Sequence, residues 1–354
     1  MDEVKQRRSV LILSDFLFPE YLGGSSRFAS ELNDALVDAG FDVTCITRKP
    51  KGQYSSSFTD KRSYRVFLVK DVKEFYSVIF SADWDVLIAH HFLLGMLSYL
   101  VSAKKKIYFF HGPVHLERIS RGGSWLSAQC RRFLEFLVLK HVKNIFCLSE
   151  YMKNYLPQTL RYKASITGPL FNKQMPDTIR PRMTKNDRLK LLTVRRLTGR
   201  TGVSELVDLV EKIDQDVELT VVGTGELLPI LKSNRKKNVK VLGEVSEDKL
   251  HQLYEDADLF VLPSRELEGF GLVIIESILR GTPVLASNCA GGGADFLKSF
   301  SVDFLYQLDG SPQEFLKCVK KATSAFCNEK IRNEIHMRIK QYSMAKFIEK
   351  ELGS

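Results

Sequence analysis

An α/β protein of two similarly built domains, each a parallel sheet wrapped by helices, is the architecture this sequence predicts. Three observations carry it. The chain has 354 residues, too many for one ordinary core and enough for two. Short apolar runs of strand length alternate with helix-length stretches, the pattern of βαβ units. That alternation stops at a proline-bearing, apolar-poor stretch and then begins again.

In chain order, VLIL is too short for a signal peptide or a membrane span and reads as a buried first strand, VLILSDF. A Gly-Gly turn follows, then a helix through SSRFASELNDALVDAG that stops at Gly40. FDVTCITR, RVFLV, DVLIAHH and KIYFFHG are further strands with helical stretches between several of them, and a helix over about 124–142 precedes the strand NIFCLSE. The stretch from Asn172 to Asn186, with Pro176 and Pro181, reads as a linker, bounded here as 173–187 between domains 1–172 and 188–337.

After the linker come strand LKLLTVRRL, helix GVSELVDLVEKI, and strands VELTVVG and VKVLGEV. Ser246 is placed to cap a helix through SEDKLHQLYEDA, with Glu247 and Asp248 in its first turn. DLFVLPS, a helix LVIIESILR ending at Gly281, and TPVLASN complete the succession, and QYSMAKFIEKEL closes the chain as an amphipathic helix over about 338–354. Within the LVIIESILR helix, Glu276 stands four residues after Leu272 and three before Leu279, which puts a carboxylate on their apolar face. Burial there is costly unless a partner pairs with it or donates a hydrogen bond.

Composition narrows the class. Hydrophobic content of 44% and charged content of 27% are ordinary for a globular protein, and no run approaches the length of a membrane span. The six cysteines (Cys45, Cys130, Cys147, Cys289, Cys318, Cys327) form no CxxC pair, which favours free thiols in a reducing cytoplasm over disulfides or zinc. The net charge of +10 is concentrated in Lys104–Lys163 and Lys185–Arg200. It fits nucleic acid, an anionic membrane, phosphorylated small molecules or simply a solvated basic face. With no zinc-finger spacing or RNP signature, nucleic acid is not an expected partner.

Several local patterns could carry chemistry. Gly23-Gly24, in the turn from Pro19 to Ser26, joins the first strand to the first helix, where backbone N–H groups can meet an anion; a plain tight turn explains the pair equally well. Neither this turn nor GTGELL (223–228) is a GxGxxG fingerprint, and no Walker A sequence occurs, so a nicotinamide cofactor is not expected. Arg195, Arg196 and Arg200 follow a strand end, suited to a diphosphate or to solvent. Asp-x-Asp occurs at 83–85, 214–216 and 256–258, each beside a helix end or strand start, which argues against a metal site. His90-His91 and His111 to His115 fall at strand ends. The Gly-Pro between His111 and His115 prevents a helical metal pair, leaving His111 as a cleft-lining residue or a packed one.

Taken together, EGFGLVIIE (Glu268 to Glu276), its lead-in DADLFVLPS, its continuation SILRGTPVLASNCAGGGAD, and upstream VVGTGELLPIL, VKVLGEVS, the Gly-Gly turn, AHH and FFHG resemble the retaining GT-B enzymes of glycosyltransferase family 4, whose E-x7-E element the first stretch fits. The resemblance spans nearly the whole chain. It implies two Rossmann-like parallel-sheet domains facing a cleft, with the C-terminal helix packing back on the first domain. The first domain would bind the acceptor and the second a nucleotide-diphosphate sugar.

By the same resemblance, Glu276 hydrogen-bonds the ribose, Glu268 meets the sugar near its reacting carbon, and Val245 borders the base. Gly271, Leu272 and Val273 turn backbone N–H groups to sugar and phosphate, and Gly269 and Phe270 belong to the same donor site. Arg196 binds the diphosphate, while Gly23, Gly24 and His111 serve from the first domain, His111 with Glu268 at the reacting centre. Where the family often has lysine, this chain has Thr201, so Arg200 is the expected second cation. Near the interdomain turn, Thr167-Gly168-Pro169 replaces a common Asn-Gly.

Arginines and a helix N-terminus can stabilise a diphosphate leaving group without a metal or other cofactor. The expected reaction moves a hexosyl-type sugar from a UDP- or GDP-sugar to a hydroxyl of a saccharide, lipid-linked or small-molecule acceptor. An epimerase or phosphorylase of the same fold, or a non-catalytic nucleotide-sugar binder, are the rival readings. The helix GSWLSAQCRRFLEFLVLKHV, with Trp125, Phe133, Phe136, Arg131, Arg132 and Lys140, reads either as core-packed or as a contact of the basic domain with the inner face of an anionic membrane, with core packing preferred.

Overall fold

The computed structural model describes residues 7–18, 23–48, 63–68, 72–80, 83–172, 175–181, 188–213, 216–233 and 237–353. Pro19–Leu22 of the first turn, Asp214-Gln215 of the second acidic pair, and residues 173–174 and 182–187 of the linker lie outside them. The chain divides into two compact units, 1–173 with 342–354, and 174–341.

Among the described residues, unit one holds β1 (Ser9–Ser14), β2 (Asp42–Thr47), β3 (Arg65–Leu68), β4 (Trp84–Ala89), β5 (Ala103–Phe110), β6 (Asn144–Cys147) and β7 (Ala164–Ile166). They form one sheet in the order β3-β2-β1-β4-β5-β6-β7, with every pairing parallel. Apolar side chains leave β1 alternately to the two faces: Val10 and Ile12 enter one core cluster, Leu11 and Leu13 the other. That two-sided burial is why the strand reads as a continuous apolar run.

The C-terminal helix Met344–Leu352 belongs to this unit. Its apolar residues Met344, Phe347, Ile348 and Leu352, at helical spacing, enter the cluster that contains Phe28, Leu32 and Phe109. Backbone bonds from Phe171 N–H to Tyr342 O (3.0 Å) and from Met344 N–H to Phe171 O (3.2 Å) hold its approach. Gly168, at φ +72, lies against the Tyr342 ring where a Cβ would not fit. The Gly168-Pro169 step is thus where the returning segment docks.

Unit two repeats the construction with β8 (Leu189–Val194), β9 (Val217–Val222), β10 (Val239–Gly243), β11 (Leu259–Leu262), β12 (Val284–Ser287) and β13 (Leu305–Tyr306). The order is β10-β9-β8-β11-β12-β13, again parallel throughout. Ser246 caps its helix by accepting from Lys249 N–H at 3.3 Å. Helices Pro312–Cys327 and Glu329–Ile339 are not among the sequence-predicted elements. The first starts at a capping box, Ser311 with Glu314, and at Pro312 in its first turn.

In both sheets the order reverses direction at the first strand, between β1 and β4 and between β8 and β11. Open parallel sheets bind ligands outside the carboxyl ends of strands at such a point. Topology alone therefore marks, in each unit, the place where a ligand is expected.

Candidate active site

At the switch point of unit two, Arg195 follows β8 and Ser264 follows β11, while Glu268 comes from the loop that leads into helix Leu272–Leu279. The Arg195 guanidinium donates through Nη2 to Glu268 Oε2 at 2.5 Å and through Nη1 to Ser264 Oγ. Ser264 Oγ donates to the same Oε2 at 3.0 Å. The ion pair is largely shielded, its side chains 9% and 16% exposed. A shielded pair needs such converging donors to offset its desolvation.

The neighbouring cations have different surroundings. Arg196 is exposed at the same strand end. Arg200 is half-buried and donates through Nη1 to the carbonyl of Leu267 at 3.2 Å. Leu267 sits at φ +54, the one described non-glycine residue on the left-handed side, so Arg200 anchors a strained loop. Thr201 is 2% exposed and turned inward, with Oγ1 donating to Thr198 O at 2.6 Å.

Glycines let the surrounding chain approach this closely. A Cβ on Gly223 would fall onto the Arg195 carbonyl, one on Gly225 onto that of Leu197, and one on Gly202 onto that of Pro263. GTGELL therefore serves backbone packing behind Arg195 and Leu197.

Gly271, at φ +80, caps the N-terminus of helix Leu272–Leu279, and the half-buried Leu272 and Val273 open it. Phe270 is buried against Phe296, with ring centroids 5.0 Å apart, so it can offer a ligand only its backbone. Val245 is half-buried in the loop after β10.

For Glu276 the structure keeps the expected neighbours, Leu272 and Leu279, but on the less buried face of the helix. The fully buried face of the helix is Ile274, Ile275, Ser277 and Ile278, whereas Glu276 shares a half-buried face with Leu272, Val273 and Leu279. The run is apolar nearly all round, so periodicity could not tell its two faces apart. The carboxylate also has a partner in the protein, the hydroxyl of fully buried Tyr254, which donates to Oε2 at 3.2 Å.

In unit one imidazoles gather at the switch point. His90 and His91 follow β4, and His111 follows β5. His90 is 1% exposed, its ring stacked on Phe109 at 5.3 Å and its Nδ1 3.2 Å from His111 Nε2. His91 lies 3.4 Å from the hydroxyls of both Ser14 and Ser25. Burial, reinforced by the neighbouring imidazoles, holds His90 well below its ordinary value and pushes His91 to about 3; burial pushes His111 to about 4. All three are neutral at neutral pH.

Gly23, extended at φ 163, precedes helix Gly24–Asp38. A Cβ on Gly24 would meet no described atom within 4 Å, so packing against the described residues does not explain that glycine.

Asp15 and Glu135 are two acids the sequence reading passed over. Burial raises Asp15 to about 6, opposed by the Leu94 N–H (3.0 Å), Arg48 and Arg131. Burial lifts Glu135, 5% exposed inside helix Trp125–His141, to about 8; the Val114 N–H opposes this and nearby Glu117 adds to it. An acid at an inward helical position was the only available signal for Glu135. The same helix buries Ala128, Val138 and Leu139, yet it leaves Trp125, Leu126 and Phe133 61–69% exposed beside exposed Arg131 and Arg132.

Asp85 and Asp258 serve the fold, accepting backbone N–H groups of Ser9 (2.9 Å) and Lys190 (2.7 Å). Among the described residues no group of three acidic, histidine or cysteine side chains could hold a metal ion, and no helix is long and apolar enough to cross a membrane.

Residues 175–340 match the family described as glycosyl transferases group 1, and residues 22–167 match glycosyltransferase family 4. An uncharacterized glycosyltransferase of Methanocaldococcus jannaschii is 25% identical over 296 residues, 80% of each chain. A glycogen synthase of Mycobacterium tuberculosis is 23% identical over 329 residues, 80% of this chain and 79% of its own. Among solved structures, Anabaena HepE in complex with UDP-glucose matches with a TM-score of 0.72 at 16% identity, over 97% of this chain and 99% of its own. At that identity the likeness speaks for the fold, which is GT-B.

Proposed function

From the premise that the chain belongs to glycosyltransferase family 4 and is a glycosyltransferase, we propose that it moves a hexosyl-type sugar from a UDP- or GDP-sugar to an acceptor hydroxyl, with retention of configuration and without a metal ion. The observation that carries this reading is the crevice of unit two. Three arginines, a carboxylate held by one of them, and a glycine-opened helix N-terminus meet at a switch point, where a diphosphate and its sugar can be read together. The UDP-glucose bound in HepE supports a uridine donor.

On this reading Arg196 and Arg200, with the N–H groups of Gly271, Leu272 and Val273, take the negative charge that grows on the diphosphate as the anomeric bond breaks. Glu268 orients the sugar and stabilises its positive character. Glu276, presented by Tyr254, takes the ribose hydroxyls, with Val245 beside the base. A phosphate oxygen accepts the proton of the incoming hydroxyl. We assign the acceptor to unit one, whose neutral His111 and open Gly23-Gly24 turn suit a polyol. Its exposed Trp125, Leu126 and Phe133 with flanking arginines suit an anionic bilayer that would present a lipid-linked acceptor.

Incubation with UDP- and GDP-sugars, with and without EDTA, tests the reaction. The expected result is thermal stabilisation by one nucleotide class and slow, chelator-insensitive release of the nucleotide. Binding without release would overturn transfer, and loss with EDTA would overturn metal independence. Flotation with anionic liposomes, reduced by Trp125→Ala/Phe133→Ala and by high salt, tests the membrane contact; absence of flotation sinks it.

A further inference from the structure

The loop between β8 and the next helix holds three arginines, and the structure separates their work. Arg196 is exposed and Arg200 anchors Leu267, but Arg195 is spent on Glu268. Its backbone is locked, with N–H bonded to Val222 O at 2.9 Å and Gly223 pressed against its carbonyl. Its guanidinium, projected from that rigid strand end, bridges Glu268 Oε2 and Ser264 Oγ, and Ser264 is fully buried with its carbonyl accepting from Ser287. Both Arg195 and Ser264 donate to Oε2, whereas Oε1 lies on the side of Gly271, 3.6 Å from where a Cβ on that glycine would sit.

Resting on the donor assignment above, we propose that Arg195 is a positioning residue that neutralises Glu268, so that a carboxylate and a diphosphate can share one crevice. A nucleotide diphosphate brought up to an uncompensated carboxylate meets Coulomb repulsion, which is strong where water is excluded. Arg195 removes that repulsion while leaving Oε1 turned toward the helix N-terminus. Thr201, inward and 2% exposed, supplies no charge here, which leaves the compensation to Arg195.

The test is a charge-compensation cycle read by calorimetric titration with UDP and GDP. R195Q should weaken nucleotide binding roughly tenfold, and R195K should stay within about threefold of wild type. Adding E268Q to R195Q should restore affinity to within about threefold of E268Q alone, because no uncompensated carboxylate remains. A merely structural Arg195 would not be relieved by changing its partner. If R195Q unfolds, R195K and the double variant still decide, with thermal midpoints reported for each. Wild-type affinity in R195Q, or a double variant as weak as R195Q, overturns the proposal alone. Wild-type protein that binds neither UDP nor GDP overturns the donor assignment and this inference with it.

Discussion

The two units solve one problem, the burial of titratable groups at a switch point, in opposite ways. Unit two keeps its charges and pairs them: Glu268 lies between Arg195 and Ser264, with two further arginines nearby in sequence. Unit one gives most of its charges up, with Asp15, at about 6, the buried acid that stays mostly ionised at neutral pH. Its three strand-end imidazoles are neutral, and Glu135 of the same unit is held protonated through neutral pH by burial. Paired charges with cations nearby suit an anion, whereas a mostly uncharged set of imidazoles suits a polyol, which it can meet without stripping water from an ion. The same topology thus presents two chemically different surfaces, and the difference lies in the residues just past the strand ends.

The sharpest way to break this contrast is Glu268→Gln. If the paired carboxylate acts on the sugar, turnover should fall about 10²–10³-fold with a smaller change in donor KM, measured by nucleotide release. Unchanged turnover would reduce the pair to a structural feature.

Next in size are two glycines. Gly223→Ala places a methyl onto the Arg195 carbonyl at φ +134 and should cost about 3 kcal/mol in urea unfolding. Gly24→Ala meets no described atom within 4 Å and should leave stability within about 0.5 kcal/mol while lowering turnover. Equal stability losses would erase the distinction between a glycine needed for packing and one that leaves room.

Glu135→Gln tests the neutral unit through pH. Its folded value of about 8 lies above the ordinary 4.5, so between these values the unfolded chain is ionised and the folded one is not. Wild-type stability is therefore eroded as pH rises from 4.5 to 8, and the substitution should recover about 2–3 kcal/mol already at pH 6.5, more at pH 8 and almost none at pH 4. A pH-independent effect would mean that Glu135 is not buried as the neutral acid.

The smallest effect is expected from Tyr254→Phe, which removes one hydrogen bond to Glu276 and should raise donor KM about three- to tenfold with kcat little changed. A loss in kcat alone would place Glu276 nearer the reacting carbon than the ribose.

Much of this was legible before any coordinates. VLIL, FDVTCITR and DLFVLPS are strands because apolar runs of that length, bounded by turns, can be buried on both faces of a parallel sheet. Ser246 could be named as a cap because its oxygen bonds a backbone group three residues on.

The helices Pro312–Cys327 and Glu329–Ile339 were missed although Ser311, Pro312 and Glu314 spell a start signal. For Glu276 the sequence supplied the right neighbours, Leu272 and Leu279, but not the depth of their face, because a helix apolar nearly all round has no contrast to read.

What the sequence determined by itself is whatever depends on neighbours along the chain: strand and helix periods, a cap, the turn glycines, and the excess of arginine after one strand. It could not say that Arg195 reaches Glu268, because that bond joins positions 73 residues apart and Ser264 enters from 69 away. Nor could it say that Tyr254 meets Glu276 or that His90 stacks against His111. Adjacent residues at a strand end point in opposite directions, and only the closing of the sheet decides what each of them meets. Charge state follows from the same closure, since desolvation depends on everything that packs around a group and not on the residues beside it in the chain.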